Sequence, residues 1–243
     1  GWYLIRVNGH IGYASPDYFD ALSDYSMNNY GLDYGSLGFI CNAYTTDRVN
    51  LRSGASTDTQ SFGLLDQGSF VQVLQDCGDF YLVLDNDYRY GYISKDYLHL
   101  LNDEIYIVTD ISSQITTLYK GNTILAQAYC VTGKSSTPTS LGVFKIKSKE
   151  RNRYLNGKNE DGSEYHSFVN YWMPFYGGQG LHDLKECHRW GVAASHGCER
   201  QQSTRDMYTS GYVLNKYGEV YKISMIENLY LNAEVGTKVI NKK

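Results

Sequence analysis

Residues 2–19 (WYLIRVNGHIGYASPDYF) and 80–97 (FYLVLDNDYRYGYISKDY) repeat one pattern: an aromatic pair, an alternating strand, a turn, then Gly-Tyr, a small or hydrophobic residue, Ser, one variable residue and Asp-Tyr. A unit of this kind buries a face only by pairing with other strands, so the repeat commits the N-terminal part of the chain to β structure. In the second copy Tyr81 and Val83 alternate with Leu82 and Leu84, the two-residue period of a strand. Upstream, Val49 to Arg52 reads as a short strand, Gly54 to Thr59 as a turn-rich loop, and Phe70 to Leu74 as a further strand after Gly68. Short strands at close spacing without helical periodicity predict a small barrel over residues 43–100. Residues 1–19 match only the last part of such a module, and residues 20–42, rich in Tyr, Gly, Ser and Asp, read as a connector.

From residue 104 the texture changes, and residues 103–243 read as a second domain. Ile105 to Asp110, Gln114 to Tyr119, Thr123 to Val131, Phe144 to Ser148 and Val239-Ile240 are its strand candidates. Residues 149–166 (KERNRYLNGKNEDGSEYH) are polar and turn-rich, and are expected to be an excursion from the core. Helix is expected at Thr204 to Tyr208 and at Met225 to Ala233, where Ile226, Leu229 and Tyr230 recur at helical spacing before a stop near Gly236. Gly211 to Asn215 and Glu219 to Ile223 alternate around Tyr217-Gly218 and predict a hairpin. The expected class is therefore mainly β, with one or two short helices.

Composition narrows the function classes. A net charge of -4 argues against a nucleic-acid partner. No stretch approaches the roughly 20 apolar residues of a membrane helix, and no signal-peptide pattern is visible. Because the chain begins inside a repeat, an export signal or anchor is expected upstream of it. The 24 tyrosines against 3 prolines suit β-rich cores and also sugar- or peptide-binding faces. Five cysteines, at 41, 77, 130, 187 and 198, leave at least one free thiol; the others are expected to be small buried hydrophobes.

The chemistry concentrates in residues 180–200, GLHDLKECHRWGVAASHGCER. A thiol needs a partner to become nucleophilic near neutral pH, usually an imidazole. His182 lies 16 residues before Cys198, with Gly180 and Gly191 available for tight turns. The Ser195-His196-Gly197-Cys198 turn sets backbone N–H groups beside the sulfur, where they can stabilise an oxyanion. The His and Cys residues at 182, 187, 188, 196 and 198 lack the tight pairing of a zinc site, and no metal or other cofactor is expected.

Two resemblances follow from these residues. Residues 43–100, with Leu51-Arg52-Ser53-Gly54, resemble the bacterial SH3-like domain, a cell-wall targeting module; residues 1–19 resemble the end of another. Residues 104–242 resemble the L,D-transpeptidases. Ser195-His196-Gly197-Cys198 followed by Arg200 is similar to their S-H-G-C-x-R signature, and Gly180-Leu181-His182 to their G-hydrophobic-H element. Thr132-Gly133-Lys134, the run from Thr137 to Phe144, and Met173-Pro174-Phe175 match three further elements in the family order.

The resemblance implies a β-sandwich with a helix against it, in an exported, wall-associated enzyme of peptidoglycan biosynthesis and cell-shape maintenance. Cys198 would attack a tetrapeptide donor stem at its diamino acid, and an amine of a second stem would resolve the thioester into a 3→3 cross-link. His182 would be the base, oriented by the Asp183 carbonyl. His196 and Gly197, with the Cys198 amide, would form the oxyanion hole. Arg200 would hold a substrate carboxylate, Tyr171 and Trp172 would line the groove, and carbapenems would acylate Cys198. The chain departs from the family at Glu199, where a hydrophobic residue is usual, and at an insertion from Gln201 to Tyr221. If the insertion begins directly after Cys198, Lys222 replaces Arg200 as the carboxylate ligand. The inserted hairpin is expected to wall the groove through Tyr208, Tyr212 or Tyr217. The alternatives are a carboxypeptidase or endopeptidase hydrolysing the same acyl-enzyme, and an inactive wall-binding protein. A papain-like or NlpC-type peptidase would place its cysteine before its histidine, the reverse of the order here.

Overall fold

The computed structural model describes residues 3–7, 10–14, 38–159, 161–185, 187, 189–203, 213–214, 220–221 and 224–243; at 3–7, 10–14, 213–214 and 220–221 it describes the backbone path. The predicted connector and the predicted helix Thr204 to Tyr208 lie outside the described residues, apart from the last residues of the former. The chain divides into one unit of residues 1–67 with 71–99 and another of residues 68–70 with 100–243.

In the first unit both repeat copies become antiparallel hairpins. β1 (Tyr3–Val7) pairs β2 (His10–Ala14). The other strands are β3 (Cys41–Thr45), β4 (Val49–Arg52), β5 (Ser61–Leu65), β6 (Phe70–Cys77), β7 (Phe80–Asp85), β8 (Tyr90–Ser94) and β9 (Leu98–Leu100). They form one seven-stranded sheet in the order β5-β4-β8-β7-β6-β3-β9, an open order in place of the expected closed barrel. Alternation sets its core, with Leu51, Val73, Leu82, Val83 and Ile93 fully buried. At the β7–β8 turn the buried Asp85 carboxylate accepts the Asp87 and Arg89 amides at 2.9 Å each and Arg89 Nε at 2.8 Å.

The second unit is two facing sheets and one helix. β10 (Ile105–Asp110), β11 (Ile115–Lys120), β12 (Thr123–Tyr129), β13 (Gly142–Lys145) and β20 (Lys238–Lys242) form a sheet ordered β12-β11-β10-β20-β13. β14 (Glu150–Lys158), β15 (Glu164–Tyr176), β16 (Gln179–His182) and β17 (Glu199–Arg200) form the other, in chain order. β18 (Val213–Leu214) and β19 (Val220–Tyr221) pair antiparallel as the predicted hairpin of the insertion. Ile107, Leu118, Val239, Met173, Phe175 and Leu181 fill the core, closed by Met225, Ile226 and Leu229 of α1 (Met225–Asn232).

α1 begins where it does because Ser224 and Glu227 cap each other's backbone N–H groups. Pro174 lacks an N–H and sits at a bulge of β15, where a ladder bond is not required. The polar, turn-rich stretch 149–166, where the sequence reading placed no strand, builds β14 and the start of β15, a long regular hairpin. Most residues of β14 are exposed, so both faces are polar and the two-residue hydrophobic period that betrays a strand is absent.

Candidate active site

The Ser195–Cys198 turn is locked before any partner arrives. Ser195 Oγ donates to the Cys198 carbonyl at 2.5 Å and accepts the Gly197 amide at 3.1 Å. Gly197 has φ +109, and a Cβ there would stand 2.9 Å from Gln179 Nε2, so the position requires glycine. The Thr132–Ser140 segment wraps this turn. Thr132 O accepts the Ala194 and Ser195 amides at 2.9 Å, Lys134 N donates to Ser195 O at 3.0 Å, and Thr139 Oγ1 donates to Gly197 O at 2.9 Å. Gly133 fits beneath because it has no Cβ, which would meet Thr137 O at 2.2 Å. The segments that spell the sequence motifs are thus the two halves of one cradle.

β16 and β17 run parallel with Leu181 opposite Glu199 and His182 opposite Arg200. His182, Cys198, His196, Ser195 and Arg200 therefore share one cavity of about 160 Å³, completed by Leu184 and by Leu155, Asn159, Tyr165 and Ser167 of the long hairpin and its tip. His182 Nδ1 lies 2.6 Å from the Asp183 carbonyl. A carbonyl only accepts, so Nδ1 carries the proton and Nε2 keeps its lone pair. Burial pushes His182 down to about 4, aided by the Arg200 charge and opposed by the Asp183 carbonyl. Burial also raises the Cys198 thiol, a Gly180 backbone hydrogen bond lowers it, and the sulfur donates to Gly178 O at 3.8 Å. With the imidazole depressed and the thiol raised, both groups are neutral at rest, and a transfer of the thiol proton would have to accompany any attack by the sulfur.

Asp183 does more than lend a carbonyl. Its buried carboxylate accepts the Asn170 and Tyr171 amides at 2.8 and 3.0 Å and Asn170 Nδ2 at 2.5 Å, fastening the turn after His182 to β15. Trp172 is buried with its ring 5.9 Å from that of His182, behind the imidazole. Tyr171 faces away from the cavity, stacked under Arg151 at 4.6 Å and against Tyr230 of α1 at 5.0 Å. Neither Tyr171 nor Trp172 is among the residues that line this cavity, where the sequence reading had both on the groove wall. The Gly197 N–H is spent on Ser195, which leaves the Cys198 amide and His196 as donors of that turn. His196 stacks on Tyr165 with ring centroids 5.4 Å apart, and its buried Nε2 has no partner among the described residues.

The sequence reading did not single out Leu155, Asn159 and Tyr165, which lie in the polar, turn-rich stretch 149–166, or Ser167 just after it. Lys222, His188, Tyr208, Tyr212 and Tyr217 lie outside the described residues. None of the five cysteines is joined in a disulfide; Cys41 and Cys130 are buried. Among the described residues no three His, Cys, Asp or Glu groups are arranged to hold a metal, and no helix is long and apolar enough to cross a membrane.

Residues 104–240, more than half of the chain, match the YkuD family, the L,D-transpeptidase catalytic domain, and residues 47–99 match the bacterial SH3 domain family. No curated protein sequence matches. Among solved structures, the catalytic domain of an Enterococcus faecium L,D-transpeptidase is 30% identical, with 57% of this chain and 97% of that one covered and a TM-score of 0.44. The same catalytic domain acylated by ertapenem is 32% identical over 57% and 97%, with a TM-score of 0.43. L,D-transpeptidase 3 from Mycobacterium tuberculosis is 13% identical over 82% and 96%, with a TM-score of 0.46.

Proposed function

The chain belongs to the L,D-transpeptidase family, and we propose that within it the protein joins peptidoglycan stem peptides through a thioester on Cys198. What supports this reading is one arrangement: Cys198 and His182 open on one cavity, and the Asp183 carbonyl holds the imidazole with Nε2 as proton acceptor.

The chemistry runs in two halves. Cys198 Sγ attacks the carbonyl on the L-centre of the donor diamino acid as its proton passes to His182 Nε2. The negative oxygen is met by the Cys198 amide and His196. Collapse expels D-Ala, whose nitrogen takes the proton from His182, and leaves the thioester. The side-chain amine of a second stem then attacks, gives its proton to His182, and on collapse Cys198 leaves as thiolate and recovers that proton. Arg200, on the cavity wall with a guanidinium shaped for bidentate carboxylate binding, holds the carboxylate of a stem. Lys222 is the second candidate for that role. Residues 43–100 hold the enzyme at the wall, with exposed Tyr88 as one contact.

Mass spectrometry of tetrapeptide stems after incubation tests the reading. Dimers of tripeptide–tetrapeptide composition support it. Tripeptide alone assigns the chain to hydrolysis of the same acyl-enzyme, and unchanged substrate assigns it to wall binding without catalysis.

A further inference from the structure

β15 turns into β16 through Gly177 and Gly178, at φ +48 and +83, with Tyr176 opposite Gln179. Two glycines in succession suit the twist of a tight hairpin and leave its backbone little restricted. Two peptide groups of this segment nonetheless flank the reacting sulfur. The Gly178 carbonyl accepts the Cys198 S–H at 3.8 Å. The Gly180 N–H hydrogen-bonds the sulfur from two residues further on. Strand geometry turns it that way. His182 O accepts the Gln201 amide at 2.8 Å, so His182 and, two residues earlier, Gly180 present their backbone groups to β17. Pro174, opposite Gly180 on the other side, accepts the Lys147 amide at 2.8 Å instead.

What fixes this turn is the residue between. Gln179 Oε1 accepts the Ser140 amide at 3.0 Å, and its Nε2 donates to the Pro138 carbonyl at 3.1 Å. Both ends of the side-chain amide therefore go to one loop, 39 and 41 residues earlier in sequence. That loop is itself tied to the nucleophile turn: Thr137 Oγ1 donates to Ser195 O at 3.2 Å and Thr139 Oγ1 to Gly197 O at 2.9 Å. The Gln179 side chain passes Gly197 closely enough that a Cβ there would stand 2.9 Å from Nε2. Gly178, Gly180 and Cys198 are thus all referred to a single loop, and the Gln179 amide is the link on the side of the glycines. Gln179 is not among the residues that line the catalytic cavity.

We propose that Gln179 is a positioning residue for the nucleophile: by clamping the Gly177-Gly178 turn to Pro138 and Ser140, it holds the Gly178 carbonyl and the Gly180 N–H on the Cys198 sulfur. The carbonyl orients the thiol before reaction, and the N–H stabilises the thiolate once the proton leaves. The inference rests on the transpeptidase reading only in taking Cys198 as the nucleophile. A hydrogen bond to a charged sulfur outweighs one from a neutral thiol, so loss of the clamp makes Cys198 harder to deprotonate. The Gly180 bond lowers a thiol that burial raises, in the same direction. The other titratable groups about the sulfur are His182 on β16, His196 in the turn, Glu199 and Arg200 on β17, and Tyr165 on the long hairpin. Gln179→Met alters none of their charges.

Gln179→Met keeps the length of the side chain beside Gly197 and removes both clamp bonds. In the full chain, iodoacetamide alkylation of Cys198, followed by peptide mapping across pH, should move its midpoint up by on the order of one pH unit. On tetrapeptide stems kcat should fall about tenfold with KM within about twofold, because the change lies in the thiol and not in the cavity. Ile226→Val, a core substitution in α1, measures general loosening and should lower Tm without moving the midpoint. A further measurement needs no variant. In wild type carrying isotope-labelled glycine, the NMR signals of the Gly180 nitrogen and the Gly178 carbonyl should shift with the alkylation midpoint. An unchanged midpoint in Gln179→Met, an equal rise in Ile226→Val, a raised KM with kcat unchanged, or wild-type glycine signals that stay flat through the midpoint would each overturn the proposal. If Gln179→Met does not fold, the wild-type signals decide alone. Alkylation and NMR need no stem, so a raised midpoint without dimer formation overturns the transpeptidase reading and leaves the clamp standing.

Discussion

His182→Gln should make the protein less sensitive to acid than wild type. In wild type His182 is 5% exposed and depressed to about 4 from 6.5, chiefly by burial. The unfolded chain therefore binds a proton near 6.5 that the native protein refuses until about 4, and stability falls as pH drops through that window. One pKa unit is about 1.4 kcal/mol, so the full separation is about 3 kcal/mol, of which about 2.5 kcal/mol is lost by about pH 4.5. For a unit of this size that is roughly 5–10 °C of Tm. The assay is thermal unfolding of both proteins between about pH 7.5 and about pH 4.5, reading the difference of differences. Wild type should lose the stated amount relative to His182→Gln. Curves that stay parallel would show that His182 ionises freely in the folded state, and the neutral-pair mechanism would fall with the burial argument.

The same depressed value predicts that the acid limb of kcat/KM lies near 4 and not near 6.5; an initial-rate pH profile on tetrapeptide stems checks it. Gly197→Ala should destabilise the catalytic unit by about 2–4 kcal/mol, because φ +109 is strained for alanine and its Cβ would dislodge Gln179 from Ser140 and Pro138. Turnover should fall at least tenfold with it, and denaturant unfolding beside kinetics would expose an innocuous substitution. A chain beginning at Asn102 should still process soluble stems while pelleting less with insoluble wall sacculi; equal pelleting would remove the targeting role from residues 43–100.

The parts of this protein that were legible in its sequence are those with a local cause. β10 spans Ile105–Asp110 as its apolar run indicates, α1 covers Met225–Asn232 where Ile226, Leu229 and Tyr230 recur at helical spacing, and Val213-Leu214 pairs with Val220-Tyr221 as the expected hairpin. The motif segments at 132–144 and 195–200 announce a cradle because glycine is required where backbones touch, at Gly133 and Gly197. What was illegible depends on distant partners. β14 is polar on both faces, so its sequence looks like loop, and the cavity residues Leu155, Asn159, Tyr165 and Ser167 went unseen with it. Tyr171 and Trp172 read alike as aromatic wall candidates, and only the sheet's sidedness sends one to α1 and the other behind His182. Glu199 stood out as a departure from the family pattern, but its burial against Thr109 and Asn241 comes from strands some 90 residues upstream and 40 downstream in sequence.

The central claim is that Cys198 carries the acyl group, and the direct measurement is intact-protein mass spectrometry with peptide mapping after brief exposure to tetrapeptide stem. The account predicts an adduct of the stem less one D-Ala, on the peptide containing Cys198, sensitive to hydroxylamine and absent from Cys198→Ala, whose turnover falls by several orders of magnitude. No adduct while product accumulates, or an adduct mapped to Cys187 or another thiol, would contradict it.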